Sequence, residues 1–395
     1  MRALALPLAA LAVAALAVPG SADPADRRGF GRATLTQFAS LPAATFVPAS
    51  EPSGAALGTT PVNGITPPFA DQPVQGFSGV VRNSDGTFDV LSDNGYGTKA
   101  NSADFVLRVH RLGPDFGRGQ VDVVGGINLT DPFGKVPFAL TRPDRVLTGA
   151  DFDVESIQRG NDGTYWIGDE FGPYLLHFDR AGRLLAAPVA LPGVFAPEHP
   201  GGTPNLPSSK GFEGLALSAD GKTLDALLEG TVAGDEAGTL RLNEFDVART
   251  AFTGVTWRYR LDKPEHAIGD AITVDRNRLL VVERDGAQGV DARVKKVYLV
   301  DKRDRDRDGV LDKTLVADLL DIANPRRVGG FADPFTFPFT TIEDLVLLDD
   351  RTIGVLNDNN FPSSSGRTPG KPDDNEFITL RLSDGLGADP RVLRR

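Results

Sequence analysis

An all-β fold, a β-propeller built of four-stranded blades, is predicted by three features of the sequence. A four-strand outline recurs five times between residues 77 and 382. Glycine and proline, 44 and 29 in number, are spread along the chain instead of clustered, and no long amphipathic helical stretch interrupts them. Dispersed Gly and Pro mark many tight turns between short elements. A repeated four-strand sheet cannot bury both faces alone and must pack on copies of itself.

The outline is clearest in the second unit. There Ser156 to Arg159 and Tyr165 to Gly168 flank the turn Asn161-Asp162-Gly163, and Tyr174 to Phe178 and Arg183 to Ala187 flank Asp179 to Gly182. Short β-rich runs around Asp-Gly turns read as hairpins. Unit one opens at Phe77 to Val80, turns at Asp85-Gly86, ends its second strand at Leu91 to Asn94, and continues through Phe105 to Arg111 and Gln120 to Gly125. Unit three opens at Gly211 to Gly214, turns at Asp220-Gly221, closes its second strand at Leu228-Glu229, and adds Leu240 to Phe245 and Gly254 to Tyr259. Unit four opens at Asp270 to Ile272, reaches Val282-Glu283, and adds Lys296 to Val300 and Thr314 to Ala317. Unit five opens at Glu343 to Leu345, reaches Asn357-Asp358, and has Phe377 to Leu382 as its third strand.

That last unit lacks a fourth strand, and the orphan Ala33 to Ala39 (ATLTQFA) is expected to supply it and close the ring. Five blades are counted. A sixth would have to hide in the Pro- and Gly-rich stretch from Pro42 to Gln75 or in the long connection between units one and two. Ahead of the orphan strand, Arg2, the apolar run Leu4 to Val18 and the small residues Gly20 and Ala22 form a signal-peptide pattern over residues 1–22. The run is short of the roughly 18 apolar residues a membrane span needs. A secreted protein is expected, with residues 23–395 as a single propeller domain, no later membrane span, and a monomeric state.

A formal net charge of −11 argues against nucleic acid as a partner, because counterion-releasing contacts need Lys and Arg on one face. Cations and a small-molecule substrate are the natural partners. The chain has no cysteine, which excludes thiol chemistry and cysteine-ligated zinc. Its stability must come from core burial, sheet closure or bound metal.

In a propeller the inner strands start, and the second strands end, on one face near the central channel. The openings supply Glu155, Glu213, Asp270 and Glu343, with Ser78 in the slot of unit one; the second-strand ends supply Asp93, Asp169, Glu229, Glu283 and Asp358. Like charges about 6 Å apart at an effective dielectric near 20 repel by roughly 3 kcal/mol, so such a ring takes up protons or holds a cation. Oxygen-only ligands favour calcium or magnesium. Glu155, Glu213, Asp270 and Glu343 are candidate catalytic acids, with His266 as candidate base. Asp93, Asp169, Glu229, Glu283 and Asp358 are candidate ligands of the ion.

Lys99, Lys210, Arg284 and Arg367 are the basic residues placed to meet an anionic substrate. A second metal pattern, DxDxDGxxD, is formed by Asp304, Asp306, Asp308, Gly309 and Asp312. Leu315 stands where an EF-hand would end in Glu, so the pattern predicts a structural calcium loop on the far face of a blade. Hydrolase signatures are otherwise weak: there is no G-x-S-x-G, and His110, His177 and His199 show no metal-ligand spacing.

Four segments carry a family resemblance: GDEFGPYLLHFDRAGRL (168–184), KGFEGLALSADGKTL (210–224), LLVVERD with KKVYLVD (279–301), and IEDLVLLDD with LNDNNFP (342–362). They resemble the phytase-like family, described by an esterase-like activity of phytase, over almost all of the mature chain. The resemblance implies a secreted, calcium-bound propeller that hydrolyses phosphoesters or related esters, without identifying a nucleophile. Two alternatives stand beside a calcium-dependent phosphate-ester hydrolase: a lactonase-like carboxylic ester hydrolase, and a non-catalytic calcium-stabilised propeller that binds a ligand or protein.

Overall fold

The computed structural model describes residues 29–394; the expected signal peptide lies outside them. Turn chemistry sets the hairpins. In the first three blades an Asp side chain accepts a hydrogen bond from the backbone N–H two residues on (Asp85 from Thr87 at 3.0 Å, Asp162 from Thr164 at 3.0 Å, Asp220 from Lys222 at 3.2 Å). The following glycine takes the left-handed conformation, with φ of 87°, 80° and 73° at Gly86, Gly163 and Gly221. A Cβ at those φ values is strained, and for that reason Asp-Gly specifies the turn.

Blade one comprises β2 (Phe77–Arg82), β3 (Phe88–Ser92), β4 (Arg108–Asp115) and β5 (Gln120–Asn128), preceded in the chain by β1 (Thr34–Leu41). Blade two has β6 (Val154–Arg159), β7 (Tyr165–Asp169), β8 (Tyr174–Phe178) and β9 (Val189–Ala190); blade three has β10 (Phe212–Leu217), β11 (Thr223–Leu228), β12 (Thr239–Asp246) and β13 (Ala251–Arg260). Blade four has β14 (Ala267–Thr273), β15 (Arg278–Arg284), β16 (Lys295–Asp301) and β17 (Asp312–Asp318). Blade five has β18 (Asp344–Asp349), β19 (Thr352–Leu356) and β20 (Asn375–Arg381), and β1 lies antiparallel on β20 from Thr34↔Arg381 to Leu41↔Asn375. The N-terminal strand therefore closes the ring, as the missing fourth strand of unit five requires. β1 also touches β5 in parallel at Ser40 and Gln120, which joins blades one and five at their outer edge.

The inner strands β2, β6, β10, β14 and β18 neighbour one another in sequence order, and β18 meets β2 to complete the circle. Between adjacent blades lie five apolar clusters. Leu91 and Val109 meet Ile157 and Ile167; Trp166 and Leu175 meet Leu215 and Phe245; Leu227 and Tyr259 meet Ile268 and Val281. Val282 and Val297 meet Leu345 and Ile378; Leu356 and Phe377 meet Phe77 and Val90. Full burial of each such side chain contributes about 1.5–3 kcal/mol, so the interfaces between blades dominate the stability of the ring.

Two strands of the first two blades differ from the sequence reading, and the five-blade count holds. The third strand of blade one starts at Arg108, three residues later than Phe105, whose backbone bonds to Ser102 and Gly149 in a loop. The fourth strand of blade two is the two-residue Val189–Ala190, because Arg183 and Leu184 pair instead with Thr130 and Phe178. No sixth sheet is formed by the described residues: the stretch from 42 to 75 packs around Phe46, Phe69 and Phe361 with single bridges only.

Candidate active site

Pairing register decides which acids face the channel. Phe77, Val154, Phe212 and Ile268 pair with Ser92, Asp169, Leu228 and Glu283, and a bulge follows in each inner strand. The bulge positions are Ser78, Glu155, Glu213 and Gly269, with Glu343 just ahead of β18 in blade five. The next residue of each second strand is Asp93, Glu170, Glu229 and Arg284 in blades one to four, and in blade five Asp358 lies two residues past β19. The ring is thus one residue out of step with the sequence reading at three places: Gly269 stands where Asp270 was expected, Glu170 where Asp169 was, and Arg284 where Glu283 was.

A one-residue slip sends a side chain to the opposite face of its strand, and the three displaced acids are engaged elsewhere. Asp169 accepts from the backbone N–H of Asp153 at 2.9 Å and of Gly172 at 2.7 Å; Asp270 accepts from Ala271 at 2.7 Å and Leu345 at 2.8 Å. Glu283 accepts from the Tyr259 hydroxyl (2.8 Å), the Lys313 ammonium (2.7 Å) and the Asp262 N–H (2.7 Å), and pairs with His266 Nδ1 (2.9 Å). Blade four has no acid at the bulge because a Cβ on Gly269 would lie 2.0 Å from the Ile342 carbonyl oxygen.

The residues that do converge form a buried charge network. Arg284, at the end of β15 in blade four, reaches acids of two other blades, with its Nη2 2.9 Å from Glu343 of blade five and 3.4 Å and 3.8 Å from Glu229 and Glu213 of blade three. Lys210 forms an ion pair with Glu229, and Ser78 donates to Glu343 at 3.1 Å. Asp153, two residues ahead of Glu155 and not among the acids expected at the mouth, accepts from the Ser209 hydroxyl at 2.7 Å. Ligand oxygens of Asp153, Glu155 and Glu170 lie within 4.8 Å of one another, as do those of Glu170, Glu213 and Glu229. Asp153 Oδ1, Glu170 Oε1 and Glu213 Oε1 are buried and accept no hydrogen bond among the described residues. These side chains are at most 4% exposed.

Burial raises the carboxyl pKa values of Asp93, Glu155, Glu170, Glu213, Glu343 and Asp358, and repulsion from neighbouring carboxylates adds to it. Glu155 is raised by burial and then by the charges of Asp153 and Glu213; Glu170 by burial and then by Glu229; Glu213 by burial and then by Glu343. Burial pushes Asp93 up to about 8, with Asp153 adding to it, and Asp358 up to about 7, with Asp93 adding to it. Glu343 is pushed to about 8 by burial against the opposing pull of Arg284.

Beside the ring opens a cavity of about 610 Å³ whose wall includes Lys210, Glu229, His266 and Arg284. With His266 Nδ1 bound to Glu283, its Nε2 is the nitrogen left for the cavity. The other basic candidates do not line this cavity. Lys99 sits over the Phe171 ring at 4.9 Å, and Arg367 is locked to Glu376 at 2.6 Å and 2.8 Å among Phe331, Phe335 and Phe339.

Asp304, Asp306 and Asp308 form a separate group between β16 and β17, with ligand oxygens within 4.8 Å. Backbone N–H groups of Gly309, Val310 and Arg305 donate to Asp304 (3.1 Å), Asp308 (2.8 Å) and Asp312 (2.8 Å), and Gly309 turns the loop at φ 85°.

Fold and site define a five-bladed propeller with an acid-lined channel mouth. The chain belongs to the phytase-like family, described as esterase-like activity of phytase, which matches residues 72–361. An uncharacterized secreted protein of Arthroderma benhamiae is 32% identical over 126 residues, covering 25% of this chain. The chain spans about a quarter of the length of that curated relative, 24%. Among solved structures, a luciferin-regenerating enzyme has a TM-score of 0.39 at 12% identity, covering 81% of this chain and 80% of its own. A periplasmic gluconolactonase of Pseudomonas aeruginosa has a TM-score of 0.34 at 14% identity, covering 81% and 78%. No helix of the described residues is long and apolar enough to cross a membrane.

Proposed function

We propose that the chain is an exported, calcium-dependent hydrolase of phosphate esters acting at the channel mouth. The observation that carries the reading is the pair of acid triads with unsatisfied buried oxygens, beside Lys210 and Arg284 on the wall of one cavity. An oxygen-only donor set at this spacing fits a hard divalent cation. Asp153, Glu155, Glu170, Glu213 and Glu229 are the residues that would hold it. When bound, calcium supplies positive charge to a phosphoryl oxygen and lowers the pKa of a water. The chain itself supplies orientation. Arg284, held at 2.9 Å by Glu343, and Lys210 offer charge-assisted donors to an anionic substrate. His266, its tautomer set by Glu283, keeps Nε2 to accept a proton from the attacking water.

Glu213→Gln, nearly isosteric but uncharged, is expected to lower kcat/KM for p-nitrophenyl phosphate at least about tenfold, near 1.4 kcal/mol of barrier, with the fold intact by circular dichroism. Chelation of calcium should have the same effect on the wild type. A folded, calcium-loaded wild type that turns over neither phosphate nor carboxylic esters across a broad panel would instead make the chain a binding propeller.

Calcium at the Asp304–Asp312 loop belongs to the same proposal, as a structural ion between the third and fourth strands of blade four. Trp257 and Asp304 share the wall of one cavity of about 450 Å³, so terbium bound in the loop should be sensitised by that indole. Asp306→Ala is expected to abolish this luminescence and to reduce the rise in melting temperature on adding calcium, while activity at saturating calcium is retained. Unchanged melting of the wild type with chelator and with calcium would mark the loop as a solvated charge run.

A further inference from the structure

We propose that the mouth is a two-cation centre in which Glu170 is the shared ligand and the two sites differ in affinity. The inference rests on the hydrolase reading for the identity of the site, and it concerns how many ions the site holds. An oxygen bound to calcium lies about 2.4 Å from the ion, so two oxygens on one ion are at most about 4.8 Å apart. The five acids do not form one set within that distance. They form two, Asp153–Glu155–Glu170 and Glu170–Glu213–Glu229, and Glu170 is common to both.

An independent observation points to ions at both. Asp153 Oδ1 in the first triad, Glu213 Oε1 in the second and Glu170 Oε1 between them are buried without a hydrogen-bond donor among the described residues. Such oxygens on side chains 2–4% exposed are costly unless a cation or proton meets them.

The triads differ in what already balances them. Asp153 takes a hydroxyl from Ser209, and no Lys or Arg ion pair to Asp153, Glu155 or Glu170 occurs among the described residues. The second triad is partly neutralised, because Lys210 pairs with Glu229 and Arg284 lies 3.4 Å from Glu229 and 3.8 Å from Glu213. The first triad is therefore the tight site. In the second, Lys210 is a tethered cation that competes with the incoming ion.

The test is isothermal titration of calcium into the chelated full chain carrying Asp304→Ala and Asp306→Ala, which silences the far-face loop. Two sites are expected, with dissociation constants at least about tenfold apart. Asp153→Asn should remove the tighter site alone, Lys210→Met should tighten the weaker one at least about fivefold, and Glu170→Gln should weaken both at least about tenfold. A single site, or a Glu170→Gln effect confined to one site, overturns the two-cation centre. Should Glu170→Gln fail to fold, the wild-type stoichiometry and the Asp153 and Lys210 variants decide. Turnover of p-nitrophenyl phosphate in the same samples separates the two readings. Hydrolysis with one bound ion overturns this inference and leaves the hydrolase standing, whereas two bound ions with no turnover do the reverse.

Discussion

A chain lacking everything through Leu41 is expected to aggregate or to fail to reach a soluble, cooperatively melting state. β1 provides the outer strand of blade five, pairing along its length with β20, and it carries Leu35 and Ala39 at 0% exposure and Leu41 at 3%. Losing a buried Leu side chain alone costs about 2–5 kcal/mol. Two of them together with a full strand of backbone pairing approach the whole 5–15 kcal/mol that typically holds a domain folded. The truncation also strips β20 of its partner and exposes a strand edge, which templates aggregation. Sedimentation and thermal melting of the truncated chain check this. A soluble product with unchanged melting would show that closure does not depend on β1.

Freed of cations, the protein should become less stable as pH rises from about 4 to about 8, the reverse of ordinary carboxylate behaviour. Burial pushes Asp93 and Glu343 up to about 8, and Asp169, Asp270 and Asp358 up to about 7. Each pKa is higher folded than unfolded, so the native state binds more protons over the interval between the two values. The contribution is fully present below the unfolded carboxyl pKa, near 4, and is lost as pH passes the folded value. On the proposed reading, bound calcium would replace those protons and stabilise the ionised native ring by mass action. The melting temperature in chelator should fall by at least about 5 °C between pH 5 and pH 8.5, and calcium should flatten or invert that slope. Chelated protein that melts as high at pH 8.5 as at pH 5 would show that the ring does not hold its acids together under strain.

The mouth combines groups that are costly one by one. Arg284 is buried with three carboxylates around it, and its removal would leave Glu343, Glu229 and Glu213 uncompensated. Such a network persists where function requires convergent charge, and here it lies where five blades meet.

Blade number, hairpin turns and closure by an N-terminal strand were legible in the sequence because local rules set them. Asp-Gly turns recur at Gly86, Gly163 and Gly221, and a fifth unit with three strands leaves an edge that only the orphan strand can cover. The acidic character of the mouth was legible too, since Glu155, Glu213, Glu229, Glu343, Asp93 and Asp358 all fall at its rim. Register was not. β7 is buried at every position and β14 and β15 at every position after the first, so they lack the alternation of exposed and buried residues that tells one face from the other. One residue of uncertainty then exchanged Asp169 for Glu170, Asp270 for Gly269 and Glu283 for Arg284. Only the bulges and the strand pairing fixed which of each pair enters the channel, because a side chain's face depends on hydrogen bonds to a neighbouring strand. Asp153 and Ser209 joined the site for the same kind of reason: blade-to-blade packing brings together residues that no spacing along the chain relates.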